Sequence, residues 1–158
     1  MVEIGFYHLQ DRSLEDALPP LLEKILERGF RAVVETTSRE RAEALDDRLW
    51  TYGEGSFLPH AIARGSAPAD PADPMRDERQ PVLITPEAGV GSAPVRVLVD
   101  GARLPAALEA YERLVLIFDG DDAQAVAEAR AQWREVKARG LPATYWRRSA
   151  AGGWTKQG

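Results

Sequence analysis

Short apolar runs alternate along the chain with segments whose apolar residues recur every three to four positions. Residues 2–9 (Val-Glu-Ile-Gly-Phe-Tyr-His-Leu) read as a first strand. Residues 14–28 have helical period, with Ser13 as a candidate cap and Gly29 as a stop; Pro19 and Pro20 allow a second reading in which the helix begins only at Pro19. Residues 30–36 are rich in β-branched side chains and predict a strand. Ser38 then caps a helix running to Leu49, with Ala42, Leu45 and Leu49 on one face. Strands follow at residues 81–85 and 95–99, the latter closed by an Asp100-Gly101 turn. A short helix is expected over 104–112. The run Leu-Val-Leu-Ile-Phe at 114–118 has no polar face, which marks a strand covered on both sides. The longest helix spans 121–139, ended by Gly140 and Pro142, and residues 143–146 predict a last strand, with Gly152-Gly153-Trp154 turning into the tail.

Strands that alternate with helices predict an α/β fold: a single domain over 1–158, with a mostly parallel sheet flanked by helices. Residues 64–80 interrupt the pattern with three prolines and many charges, and read as a mobile surface loop within that domain.

At 158 residues the chain is long enough to bury a core without staples, and its 44% apolar and 28% charged residues are ordinary for a globular protein. It has no cysteine, which excludes disulfides, thiolate metal sites and a cysteine nucleophile. No apolar run approaches membrane-spanning length and no secretory signal is visible, so a cytoplasmic protein without membrane contact is expected. The net charge of −5 hides an asymmetry. Residues 1–122 hold 13 basic and 23 acidic side chains, whereas 123–158 hold 7 and 2. The C-terminal part is thus suited to an anionic partner while the body repels nucleic acid. Direct binding of single-stranded DNA, with Trp146 and Trp154 as stacking platforms, would be weak at most.

Enzyme signals are sparse. The glycine-rich stretch at 87–92 lacks the lysine and following helix of a phosphate loop. Asp119-Gly-Asp121 at a strand end could hold Mg²⁺ and resembles the nucleophile motif of haloacid-dehalogenase phosphatases, giving an alternative function as a small Mg-dependent phosphatase or phosphotransfer enzyme. The simpler reading is that Asp121 or Asp122 caps the long helix. His8 and His60 are the only histidines and complete no triad or metal set, so no catalytic residue, metal or cofactor is expected.

One constellation remains. At about 100° per residue, Arg134 and Lys137 lie within about 40° of Arg130 on the long helix, with Trp133 and Val126 about 40–60° to its core side. Glu128 and Glu135 fall about 140–160° away. Cations without flanking acids, beside an apolar shelf, suit an anion that also brings an apolar group, such as an acidic peptide end. A second cluster, Leu49-Trp50-Thr-Tyr52 and Ser56-Phe57-Leu-Pro59-His60, offers aromatic side chains of the kind that anchor interfaces.

At these clusters the chain resembles the chi subunit of bacterial DNA polymerase III. The resemblance runs through Phe6-Tyr7-His8-Leu9, Ala44-Leu45-Asp46-Asp47-Arg48-Leu49-Trp50, Ser56-Phe57-Leu58-Pro59-His60, Gln80-Pro81-Val-Leu-Ile84, Tyr111-Glu-Arg-Leu-Val-Leu-Ile-Phe118 and the helix containing Ala129-Arg130-Ala-Gln-Trp133-Arg134. It implies a fold like nucleotide-binding proteins without the phosphate loop, and a noncatalytic subunit linking the clamp loader to single-stranded DNA-binding protein. That partner's acidic C-terminal tail, ending in Pro-Phe, would bind Arg130, Trp133 and Arg134. A lysine often found one turn earlier is Val126 here, and Lys137 is placed to compensate. Trp50 and Phe57 match the anchors for the psi subunit, or for another clamp-loader component or helicase-like partner.

Overall fold

The computed structural model describes residues 2–9, 14–51, 61–62, 82–86, 94–104, 108, 111–148 and 154–156. These form β1 (Glu3–Leu9), α1 (Leu14–Glu27), β2 (Ala32–Glu35), α2 (Arg39–Thr51), β3 (Ala61–Ile62), β4 (Val82–Thr85), β5 (Val95–Leu98), β6 (Arg113–Asp119), α3 (Ala123–Ala138), β7 (Ala143–Arg148) and β8 (Trp154–Lys156). One sheet contains all the strands in the order β3-β4-β2-β5-β6-β1-β7-β8. Every pairing from β3 across to β7 is parallel, and β8 alone is antiparallel to its neighbour. The expected α/β fold with a mostly parallel sheet is the one observed.

Both faces of the sheet are covered. On one face Leu18, Leu22 and Ile25 of α1 and Ala42 and Leu45 of α2 pack on Val34, Val95, Val97, Val115 and Ile117. On the other, Ala129 and Val136 of α3, with Ala102 and Leu108, pack on Ile4, Phe6, Leu114, Leu116 and Phe118. This is why β6 reads as an unbroken apolar run: alternate side chains serve opposite cores, and Leu114 through Phe118 are all buried.

Helix boundaries follow local chemistry. Asp122 caps α3, its side chain accepting from the amides of Gln124 and Ala125 at 3.0 and 3.3 Å. Ser38 accepts from the Arg41 amide at the start of α2 (3.2 Å). Gly29 and Gly140 end α1 and α3 with φ of 84° and 73°, a conformation open chiefly to glycine. Pro19 and Pro20 lie inside α1, which starts at Leu14 and not at Pro19. Interior prolines cost roughly 3 kcal/mol each. Leu14, Leu18, Leu22 and Ile25, at roughly 1.5–3 kcal/mol per buried side chain, offset that loss. The Ser13 cap lies outside the described residues.

Three differences from the sequence reading stand out. The described residues of the 104–112 span contain no α-helix. The Leu104 amide is tied to Gln132 Oε1 at 2.9 Å, and Leu108 sits in a tight turn closed by the Tyr111 amide (3.3 Å). Leu108 reaches the core from that turn, and residues 105–107 and 109–110 lie outside the described residues. The chain after residue 148 does not simply turn away: β8 returns antiparallel on β7, pairing Trp146 with Lys156 and Arg148 with Trp154. The two-residue β3, paired with β4, carries no periodicity and was not expected. The loop at 64–80, the glycine-rich stretch at 87–92 and Gly152-Gly153 lie outside the described residues.

Candidate peptide-binding site

The basic stripe lies on the exposed side of α3. Ala129 and Val136 face the core, while Arg130, Arg134 and Lys137 are exposed. Among the described residues Arg130 and Arg134 make no ion pair. Glu128 points away from the stripe, lying 4.0 Å from Arg103. Trp133 is half-buried and lies edge-on to Phe6 (5.4 Å between centroids, 83°) and to Tyr145 (5.8 Å, 87°). Its indole N–H meets no acceptor among the described residues. Lys137 Nζ stands 5.3 Å from the centre of the same ring, within cation–π range. Val126 is half-buried against the core.

The strands supply a second wall that the helix alone could not reveal. Tyr145 and Arg147 of β7 project on the same face as Phe6 and His8 of β1, since side chains two apart share a face. His8 Nδ1 and the Tyr145 hydroxyl are 2.7 Å apart, and both rings lie edge-on to Phe118. Burial pushes the His8 pKa down, and the positive charges of Arg147 and Arg130 push it further, against a smaller pull from Asp121 and Asp119. Burial raises the Tyr145 hydroxyl pKa while Arg130 and Arg147 oppose it. Both guanidinium groups therefore stand within electrostatic reach of the His8–Tyr145 pair. Arg147 comes from a strand but reinforces the charge of the helix stripe. Among the described residues it too lacks an ion pair.

Gly120 locks this wall. Its amide donates to the Leu9 carbonyl (2.8 Å), tying the ends of β6 and β1. A Cβ there would stand 2.0 Å from His8 Nε2 and 2.3 Å from that carbonyl oxygen, so only glycine permits the approach.

Open parallel sheets usually bind ligands where neighbouring strands lead to opposite faces. Here that place lies between β1, which leads into α1, and β6, which leads into α3. A cavity of about 980 Å³ opens there. Its chemistry is wrong for phosphate: Asp100, Asp119, Asp121 and Asp122 line it, and its Arg41 is already engaged by Asp100 at 3.1 and 3.2 Å. Asp119 and Asp121, the pair considered for Mg²⁺, sit at this mouth. Asp119 accepts the Asp121 amide (2.9 Å), as in a turn that leads into a helix. Among the described residues, no group of three or more acidic or histidine side chains is placed to hold a metal ion.

Trp50 lies in the last turn of α2, with its side chain outside the described residues; Phe57 and His60 lie wholly outside them. No helix among the described residues is long and apolar enough to cross a membrane.

These observations define a class: an α/β protein with a parallel sheet covered on both faces, an acidic crevice at its switch point and, among the described residues, uncompensated basic side chains beside an aromatic wall. The chain matches the family described as "DNA polymerase III chi subunit, HolC" over residues 1–144. It is also 27% identical, over 126 residues, to a Rickettsia prowazekii (strain Madrid E) protein described as "Probable DNA polymerase III subunit chi", with 75% of this chain and 71% of that one aligned. This chain belongs to the DNA polymerase III chi subunit family, an accessory subunit of the replicative polymerase, as its sequence motifs suggested.

Proposed function

We propose that this chain is a noncatalytic accessory subunit of the DNA polymerase III holoenzyme in DNA replication. It links the clamp loader to single-stranded DNA-binding protein by holding that protein's acidic C-terminal tail. The observation that carries the reading is the pairing of exposed Arg130 and Arg134, without an ion pair among the described residues, with the half-buried Trp133. The tail's carboxylates suit the guanidinium forks of Arg130, Arg134 and Arg147. Its apolar Pro-Phe end suits the shelf formed by Trp133 and Val126, and Lys137 adds charge where the family's earlier lysine is missing. Trp50 and Phe57 are assigned to the psi subunit or another clamp-loader component. The two contacts together tether the polymerase to coated template by raising the effective concentration of weakly bound partners. The setting is the cytoplasm, and with a net charge of −5 any direct nucleic-acid binding is weak.

The test is a titration of wild type and Arg130→Ala with a labelled tail peptide, intact or lacking its last two residues. Loss of the arginine should weaken the intact peptide by roughly 1–3 kcal/mol, the range for a charge-assisted contact in a partly dry site. Truncation should weaken wild-type binding similarly. Equal affinities in all four combinations overturn the reading.

A further inference from the structure

On the sheet face opposite α3 a second feature is left unexplained. Helix α1 packs its buried side chains over the middle of the sheet, and among the described residues none covers the β1–β7 part of that face. A groove of about 810 Å³ lies there, between α1 and the two strands. Its floor is shallow in side chains because Gly5 has none, and the Tyr7 ring leans across it. A Cβ on Gly5 would stand 2.8 Å from Tyr7 Cε1. Tyr7 stacks on Trp146 (6.2 Å, 13° between planes), and Trp146 is held by its indole N–H donating to Thr144 Oγ1 at 2.9 Å. Ala17, Pro20 and Leu21 of α1 form the apolar wall.

The rim is strongly basic for a chain of net charge −5. Lys24 and Arg28 are exposed and, among the described residues, meet no carboxylate. Arg113 is satisfied by Glu3 at 2.9 Å, the groove's single acid among its described lining residues. Lys137 closes one end. This same lysine stands over the Trp133 ring at the lower end of the α3 stripe, so Lys137 is shared by the groove and the stripe. From Arg130 to Lys137 the helix rises about 10 Å at 1.5 Å per residue. An extended peptide covers that in about three residues.

We propose that this groove takes the acidic stretch preceding the apolar end of the tail, so that one peptide runs from Arg130 past Lys137 to Lys24 and Arg28. The inference rests on the tail-binding reading above and extends it to residues four or more from the tail's end. Charge complementarity selects an acidic peptide, and the aliphatic wall of α1 favours it over a nucleic acid strand, whose bases would need open ring faces.

The experiment uses the full chain and two labelled peptides. The short one has four residues, an acidic residue followed by an apolar one and the terminal Pro-Phe. The long one adds five acidic residues at its N-terminus. For wild type at low salt the long peptide should bind about fivefold tighter, the yield of two exposed ion pairs. The variant Lys24→Glu/Arg28→Glu should erase that gain and leave the short peptide unaffected. A control of equal charge, Arg39→Glu/Arg103→Glu, should keep it. Equal binding of the long peptide by wild type and the groove variant overturns the proposal, as does an equal loss in the control. Binding of an oligo-dT strand that depends on Lys24 and Arg28 while the peptide does not would also overturn it, in favour of nucleic acid. Failure of the short peptide on every protein counts against the stripe reading alone, because the groove is judged on the long peptide.

Discussion

Adding one methyl group at Gly120 measures how firmly the ends of β1 and β6 hold the aromatic wall. The backbone there has no positive φ, so Gly120→Ala carries no conformational penalty and the cost is steric. The new Cβ would stand 2.0 Å from His8 Nε2 and 2.3 Å from the Leu9 carbonyl oxygen. The histidine can move only by giving up its 2.7 Å contact with the Tyr145 hydroxyl, and the carbonyl can move only with its strand. Overpacking of this kind costs roughly 1–3 kcal/mol, and the lost hydrogen bond roughly 0.5–1.5. The expected loss of stability is therefore about 2–4 kcal/mol, read as a lower urea midpoint at unchanged slope. Truncating the histidine as well removes one of the two clashes, so Gly120→Ala in a His8→Ala background should cost visibly less than in wild type. A loss below about 1 kcal/mol, or full additivity of the two changes, would refute the packing argument.

Other outcomes follow from the same geometry. Arg96 is buried, with Nε and NH2 donating to Glu35 Oε1 at 2.8 and 2.6 Å, so Glu35→Ala should destabilise by about 3–5 kcal/mol in chemical denaturation, and replacing both partners by apolar residues should cost far less. The depressed His8 pKa means that the unfolded chain takes up this proton near pH 6.5 while the folded chain resists it. Stability should therefore fall as pH drops below 6.5 toward the folded-state pKa, and then level off for this group; His8→Gln should flatten that part of a pH series of denaturation curves. Arg147→Ala should weaken tail binding severalfold without changing the unfolding free energy by more than about 0.5 kcal/mol, since the side chain is exposed. Trp50→Ala and Phe57→Ala should abolish co-purification with a psi-type partner and leave tail-peptide affinity intact.

Local rules carried much of the fold. The Leu114–Phe118 run announced a doubly covered strand, the Asp121-Asp122 pair offered two candidate caps for α3 of which Asp122 is the one used, and the 3.6 period placed Arg130, Arg134 and Lys137 together. What escaped was nonlocal. His8 and Tyr145 are 137 residues apart in sequence, and only the parallel pairing of β1 with β7 brings them together with Arg147. The apolar spacing of 104–112 is compatible with a helix, yet its described residues show a Leu104 amide tied to Gln132 and a tight turn at Leu108, contacts that only the tertiary fold sets. The helix read over 14–28 starts at Leu14 as its period indicates, and the alternative start that Pro19 and Pro20 allowed is overridden by tertiary packing. The sequence lacks a phosphate loop. It could not foretell that the crevice itself persists and is lined by Asp100, Asp119, Asp121 and Asp122.

The central claim concerns where an acidic tail lands. Isotope-labelled protein titrated with the tail peptide and followed by two-dimensional NMR reads this directly. The account predicts saturable shifts at the Trp133 indole N–H, the amides of residues 130–137 and the Arg147 region, weakened by added salt. Shifts confined to the acidic crevice around Asp119, or none at these positions at saturating peptide, would contradict it.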